Sequence, residues 1–140
     1  MAHPDRVAVV TGGGTGIGAA AARRFAAQQT AVAVVGRRPA PLEETVQAIR
    51  AAGGEALAIP ADLADPASPA RIVEAVAGAW GRLDVLVNNA AAIKHLPIDE
   101  ATRELFDEHM AVNVRAPYFL IQAALPYLRQ SDSAAIINIS

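Results

Sequence analysis

A cluster of glycines directly after a short apolar run is the feature that most restricts how this chain can fold. Residues 7–10 are rich in β-branched side chains and too few for a buried helix, so they predict a buried strand. The alanine-rich stretch over residues 16–28 predicts a helix. Glycines between a strand and a helix let the backbone turn sharply and approach a phosphate at the free N–H groups of the helix N-terminus. Glycines also close ordinary turns, but the strand before them and the helix after them favour a phosphate-binding loop.

The same alternation of strand and helix continues to the end of the chain. Four further apolar runs predict strands, over residues 31–35, 56–59, 83–87 and 135–139. Helices are predicted over residues 42–52, over 68–77 with Ser68 as the N-cap, near 102–109, and from Asn113 or Pro117 to about Tyr127. This order predicts an α/β fold with a doubly wound parallel sheet of the Rossmann type, in three αβα layers, as one unit over residues 1–140.

Composition excludes several kinds of partner. The net charge is −2 and the arginines are scattered along the chain, so no basic face for nucleic acid is predicted. The chain has no cysteine, which excludes disulfides and thiolate metal sites, and we predict no metal site. No apolar run reaches the length that a bilayer requires, and the N-terminus lacks the long apolar stretch of a secretion signal. We therefore expect a soluble, cytoplasmic protein with no membrane partner.

Three motifs along this frame resemble those of the classical short-chain dehydrogenases/reductases. The segment TGGGTGIG over residues 11–18 matches the TGxxxGIG signature of that family, and LVNNAA over residues 86–91 resembles its LVNNAG, with Ala91 in place of the usual glycine. The segment PADL over residues 60–63 lies at the position where members of the family contact the adenine ring of the cofactor. The resemblance covers only the N-terminal part of the family, so we expect C-terminal strands and helices to be missing from this chain. The cofactor-binding residues that it implies are Gly12, Gly14, Thr15, Gly16, Ile17, Gly18, Asp62, Leu63, Asn89 and Ala90.

The end of the second predicted strand indicates which dinucleotide is bound. In Rossmann domains a carboxylate at this point binds the ribose 2′-hydroxyl, whereas an arginine accommodates a 2′-phosphate. Here Arg37 and Arg38 follow Gly36, and no acidic residue is present. We therefore predict that Arg37 binds the 2′-phosphate of NADP, with NAD as the less favoured cofactor. The alternative is that both arginines are solvated loop charges.

Asn113, within the segment MAVNV over residues 110–114, is predicted to be the catalytic residue of this portion. The resemblance implies that its helix is interrupted there, so that a backbone carbonyl holds a water of the proton relay. An asparagine inside a helix is unfavourable by propensity, and the alternative is a cap at a helix start. Ala91 carries a methyl group that the family's usual glycine lacks. We therefore expect either that the backbone avoids a positive φ at this residue or that the pocket shifts slightly.

The other catalytic residues of the family have no counterpart in this chain. The family uses a serine, together with a tyrosine and a lysine spaced as YxxxK, to handle the proton during hydride transfer. Tyr118 and Tyr127 are followed four residues later by Gln122 and Ser131. Neither pair makes YxxxK, so both tyrosines are predicted to be packing residues of the last helix.

These features predict the cofactor-binding portion of an NADP(H)-dependent oxidoreductase that acts on a small carbonyl or secondary alcohol substrate. The chain alone is expected to be inactive, because Ser140 aligns just before the family's catalytic serine. The alternative is a non-catalytic dinucleotide-binding fragment or truncated product. The resemblance also implies a homodimer or homotetramer, assembled partly through the long helix before the last strand. Lys94 and His95 can face a substrate or simply lie in a solvent-exposed loop, whereas His3 and His109 carry no functional indication.

Overall fold

The chain folds around a parallel sheet of five strands. The computed structural model describes residues 3–140, so that Met1 and Ala2 of the predicted unit lie outside it. The strands are β1 (Val7–Thr11), β2 (Ala31–Gly36), β3 (Ala56–Pro60), β4 (Val85–Asn88) and β5 (Ala135–Asn138). The helices are α1 (Gly16–Ala27), α2 (Pro39–Ala51), α3 (Ser68–Trp80), α4 (Arg103–Met110) and α5 (Ala116–Leu128), and a π-helical segment, Ala111–Arg115, joins α4 to α5. The predicted α/β fold of the Rossmann type is confirmed.

The alternation of side chains along β1 explains the three layers. Val7 and Val9 pack on one face of the sheet with buried residues of α3 and α5. Ala8 and Val10 pack on the other face with buried residues of α1 and α2. Because both faces of the strand are covered, its first four residues are all apolar and appear in the sequence as a continuous apolar run.

The order of the strands creates a crevice at their carboxyl ends. The sheet runs β3-β2-β1-β4-β5, so the chain moves outward from β1 to β3 and then returns to the opposite side of β1. The loops that follow β1 and β4 therefore diverge onto opposite faces of the sheet. Open α/β sheets bind ligands at such a point of reversal.

The helix predicted to start near Asn113 or Pro117 corresponds to α5, which begins at Ala116, but the helical backbone is not interrupted before it. The helix continues from α4 into α5 through the π-helical turn, in which Ala116 N–H bonds to the carbonyl of Ala111. A proline lacks an N–H, and its ring collides with the carbonyl four residues earlier, which here belongs to Asn113. The wider π turn accommodates that ring without ending the helix.

Ser68 is not the N-cap of α3, as was predicted, but its first residue. Ala67 holds the cap position with backbone angles that are already helical, and no side chain caps the helix. The buried Ser68 hydroxyl instead donates to the carbonyl of Asp62 at 2.5 Å. The hydroxyl therefore fixes the loop after β3 rather than the free N–H groups of the helix.

Together α4, the π-helical segment and α5 form one long helix over residues 103–128. The outer face of this long helix carries exposed apolar side chains at intervals of four residues. Phe106, Met110, Val114 and Tyr118 are 64%, 42%, 53% and 65% exposed. The prediction that both tyrosines are packing residues of the last helix is therefore wrong for Tyr118, whereas Tyr127 does contact the core. None of the helices within residues 3–140 combines the length and the apolar character needed to cross a membrane.

A buried carboxylate ties the start of β1 to the turn between α5 and β5. Asp84 accepts hydrogen bonds from Val7 N–H at 2.8 Å, from the Ser131 hydroxyl at 2.5 Å, and from two nitrogens of Arg82 at 2.9 and 2.8 Å. Burial acts to raise the pKa of Asp84, but the hydrogen bonds from Arg82, Ser131 and Val7 outweigh it and lower that pKa below 3.8. The hydrogen bond to Asp84 raises the pKa of Arg82.

Candidate functional site

One cavity lies at the carboxyl ends of the strands, at the crevice created by the strand order. Its volume is about 450 Å3, and the loops after β1, β2, β3 and β4 form its walls. Ten of the eleven residues predicted to bind a cofactor line it, namely Gly12, Gly14, Thr15, Gly16, Ile17, Arg37, Asp62, Leu63, Asn89 and Ala90. The eleventh, Gly18, and the predicted catalytic residue Asn113 do not line it. The fold therefore brings most of the predicted site into one place.

Gly18 acts on the cavity through packing. It is buried in the first turn of α1, and a Cβ atom there would lie 2.0 Å from the carbonyl oxygen of Gly12 and 2.6 Å from Asn89 Nδ2. Gly12 has a φ of +64°, and a Cβ atom on it would lie 2.8 Å from the same Asn89 nitrogen. These two glycines are needed because the helix approaches the backbone of the glycine loop, and because both glycines lie against the side chain of Asn89.

The N-terminus of α1 is open toward the cavity. Thr15 is the N-cap, but its side chain makes no capping hydrogen bond, and the first turn holds no acidic residue. The N–H groups of that turn therefore keep their capacity to donate, and no carboxylate neutralises the positive end of the helix dipole. Gly16 and Ile17 border the cavity directly, so this end of the helix is suited to a phosphate.

Arg37 and Arg38 both border the cavity just beyond β2. Both residues are exposed. The ion pairs described within residues 3–140 are Arg71–Asp65 and Arg82–Asp84, so neither Arg37 nor Arg38 is paired with a carboxylate there. The sequence favoured Arg37 over Arg38 as the residue that binds the 2′-phosphate. In the structure both arginines border the cavity, so both can contact a bound anion.

The loop after β3 offers the cavity an apolar surface and a carboxylate. Leu63 borders the cavity although it is only 7% exposed. Asp62 is exposed, and its Oδ1 accepts the N–H of Ala64 at 2.9 Å. This bond orients the carboxylate and leaves its second oxygen able to accept from an amine, which is the role that the family resemblance implied.

Thr11 and Asn89 hold the loops after β1 and β4 together, and the neighbouring Asn88 bonds to β5. The Thr11 hydroxyl accepts the N–H groups of Asn89 and Ala90, each at 3.0 Å. Asn89 Nδ2 donates to the carbonyls of Thr11 and Gly12 at 3.2 and 3.3 Å, while Asn88 Nδ2 donates to Asn138 Oδ1 at 2.9 Å and links β4 to β5. Thr11 was not among the predicted site residues, although a hydroxyl after four apolar strand residues was the available signal.

Asn113 lies in the π-helical segment and holds the loop after β4. Its Oδ1 accepts Ala92 N–H at 2.8 Å, and its Nδ2 donates to the carbonyl of Ala92 at 2.9 Å. The alternative that Asn113 caps a helix start is wrong, because the helix is continuous through it. Ala91 lines the cavity without a positive φ, a conformation that among the non-glycine residues of the described chain only Gln29 adopts.

Three residues of the long helix also contribute to the site, although none of them was predicted to do so. Glu108 and Val112 border the cavity, and their spacing of four was a helical signal that they share a face. His109 contacts the loop after β4, since its Nε2 accepts the N–H of Lys94 at 3.0 Å. Lys94 and His95 are exposed and do not line the cavity. Within residues 3–140 no three acidic or histidine side chains converge as a metal site would require.

A doubly wound parallel sheet with a glycine loop at its point of reversal defines a dinucleotide-binding protein of the Rossmann class. The chain matches the short chain dehydrogenase family over residues 6–140, and it belongs to that family.

Several proteins of similar sequence or structure are named as oxidoreductases or dehydrogenases. An uncharacterized oxidoreductase of Thermotoga maritima is 38% identical over 140 residues, which are 100% of this chain and 55% of that protein. The crystal structure of a metagenomic short-chain oxidoreductase in complex with NADP superposes with a TM-score of 0.92 at 38% identity, covering 99% of this chain and 63% of that one. A Burkholderia cenocepacia short chain dehydrogenase in complex with NADP gives 0.90 at 40% identity, covering 96% and 54%. The chain thus spans about half the length of the curated relatives it matches.

Proposed function

We propose that this chain is the cofactor-binding portion of an NADP(H)-dependent oxidoreductase that interconverts a carbonyl compound and a secondary alcohol. The observation that carries the proposal is the convergence of one helix N-terminus and two arginines in a single cavity, with no carboxylate at the end of β2. The two similar crystal structures described above, each in complex with NADP, support the same cofactor.

The residues of the cavity fit such a cofactor. The first turn of α1 binds the pyrophosphate through its N–H groups, and Arg37, aided by Arg38, binds the 2′-phosphate. Asp62 and Leu63 hold the adenine, while Asn89 and Ala90 border the nicotinamide ribose. When bound, NADP(H) supplies the hydride.

Asn113 serves the reaction through its main chain, because its side-chain amide is already bonded to Ala92 at both ends. Pro117, four residues later, has no N–H to donate to the Asn113 carbonyl. That carbonyl therefore cannot make the bond to the fourth following residue that an α-helix would give it, and we infer that it holds a water that moves a proton.

A non-catalytic binding module is the second candidate, because neither tyrosine within residues 3–140 lines the cavity or precedes a lysine by four positions. We expect a preparation limited to residues 1–140 to bind NADPH yet to leave it unoxidised by a panel of aldehydes and ketones. Fluorescence titration and NADPH absorbance, measured on one sample, check the two statements. Turnover by that preparation would show that residues 1–140 themselves contain a proton donor, and would contradict the expectation that this portion is inactive.

Replacing Arg37 with aspartate is expected to weaken NADPH binding by about 10- to 100-fold and to leave NADH binding nearly unchanged. The guanidinium meets the 2′-phosphate, which NADH lacks, and the new carboxylate repels that phosphate. Titration of both cofactors by fluorescence measures the ratio. Arg129→Asp, at the distant C-cap of α5, is the control and should leave both affinities as they are. Equal losses for the two cofactors would contradict the assignment of Arg37.

We also propose that two copies of the chain associate through the outer face of the long helix. Phe106, Met110, Val114 and Tyr118 form an exposed apolar stripe on this face. The rings of Tyr118 and Phe119 are in edge-to-face contact, with their centroids 5.1 Å apart. This stripe supports the homodimer or homotetramer predicted from the sequence. A cytoplasmic location stays a prediction.

A further inference from the structure

The loop over residues 91–96 forms part of the cavity wall with little help from apolar packing. Ala91 and Ala92 line the cavity directly. Ile93, Lys94, His95 and Leu96 are all exposed, and Ile93 exposes 71% of its surface. A segment that buries so little apolar surface depends on hydrogen bonds for its position.

Two side chains, one turn apart on the long helix, supply those hydrogen bonds. Asn113 holds both the N–H and the carbonyl of Ala92, as described above. His109 holds Lys94, whose N–H donates to the imidazole Nε2 at 3.0 Å. The loop is therefore fixed at two points, and Ile93 is the residue between them.

The imidazole of His109 is fixed in one tautomer by its two partners. Its Nδ1 lies 2.8 Å from the carbonyl oxygen of Leu105, which can only accept, so Nδ1 carries the proton. Nε2 then has a free lone pair and accepts the N–H of Lys94. Both ring nitrogens are used, and the ring that makes both bonds is neutral.

We propose that His109 is a positioning residue of the cofactor site: by accepting the N–H of Lys94, it fixes the loop that forms one wall of the cavity. The proposal rests on the proposed function in so far as it concerns the cofactor. Without this acceptor, the loop keeps its side-chain hydrogen bonds at Ala92 but loses the one at Lys94, so that residues 93–96 no longer support the cavity wall at Ala91 and Ala92.

The experiment compares His109→Leu with His109→Gln in the full chain. Leucine removes the acceptor, whereas glutamine places an amide oxygen near the position of Nε2. In His109→Leu we expect hydrogen–deuterium exchange of residues 91–96 to be about five- to tenfold faster, and NADPH binding to be about threefold weaker. His109→Gln should restore both values. His95→Leu, an equivalent change at an exposed histidine of the same loop, should alter neither.

Unchanged exchange of residues 91–96 in His109→Leu would overturn the proposal. So would faster exchange throughout the chain that glutamine does not restore, because that result indicates a general structural role. Faster exchange of the loop with unaltered NADPH affinity would overturn the role at the site. If the unmodified protein binds no NADPH, the proposed function fails, while the exchange comparison still decides whether His109 positions the loop.

Discussion

Gly18→Ala is expected to weaken NADPH binding by about 100-fold or more and to lower the free energy of unfolding by about 2 kcal/mol. The new Cβ atom would lie 2.0 Å from the carbonyl oxygen of Gly12, which is far inside van der Waals contact. Because that oxygen is backbone, no side-chain rotation relieves the clash, and α1 must move away from the glycine loop. The phosphate-binding N–H groups at the start of the helix move with it.

Two opposing effects decide the size of this change. Alanine is a better helix former than glycine by about 1 kcal/mol, so propensity alone would make Gly18→Ala stabilising. Overpacking typically costs about 1–3 kcal/mol, and a contact of 2.0 Å with backbone places this site at the upper end. The steric effect therefore exceeds the gain from propensity.

Gly78→Ala is the matched control for this prediction. Gly78 is exposed within α3, and a Cβ atom there would meet no other atom within 4 Å. The control should therefore gain about 1 kcal/mol of stability and bind NADPH as the unmodified protein does. Urea unfolding and fluorescence titration of both variants measure the two quantities. An unchanged affinity for NADPH in Gly18→Ala would show that packing does not require a glycine at this position.

The sheet and its layers could be predicted because their signals are local. A buried parallel strand such as β1 needs consecutive apolar residues, and each helix of the βα units follows its own composition. The course of the chain through Pro117 could not be predicted in the same way. A proline in a helix can end it or widen one turn, and the packing of α5 against the sheet and α3 selects between these outcomes.

The residues around the cavity were predictable where a family motif marks them, but not their separate tasks. Gly16 lines the cavity and Gly18 packs behind it, yet both are invariant glycines of the same signature, TGxxxGIG. Thr11 and His109 were missed because their partners, Ala90 and Lys94, come close only through the tertiary fold. Such contacts leave no periodic pattern in the sequence.

Asp84→Asn is expected to lower the free energy of unfolding by about 3 kcal/mol at neutral pH. The side chain of Asp84 is 1% exposed and accepts from Arg82, Ser131 and Val7, so that it joins β1, β4 and the turn before β5. An asparagine keeps one acceptor but turns its NH2 group toward another donor. It also leaves the Arg82 guanidinium without its carboxylate.

The pH dependence of this loss follows from the lowered pKa of Asp84. The folded state binds the proton less tightly than the unfolded state, whose carboxyl keeps its ordinary pKa of 3.8. The stabilisation by the charged carboxylate is therefore fully present above that value and disappears as the pH falls through the lower, folded pKa. Urea unfolding of both proteins should show a difference in the free energy of unfolding that is constant between about pH 5 and 8 and shrinks in stronger acid.

Asp65→Asn, which breaks an exposed ion pair with Arg71, is the control and should cost less than about 1 kcal/mol. A difference for Asp84→Asn that persisted undiminished in strong acid would mean that packing and shape, and not the charge of Asp84, hold these three segments together.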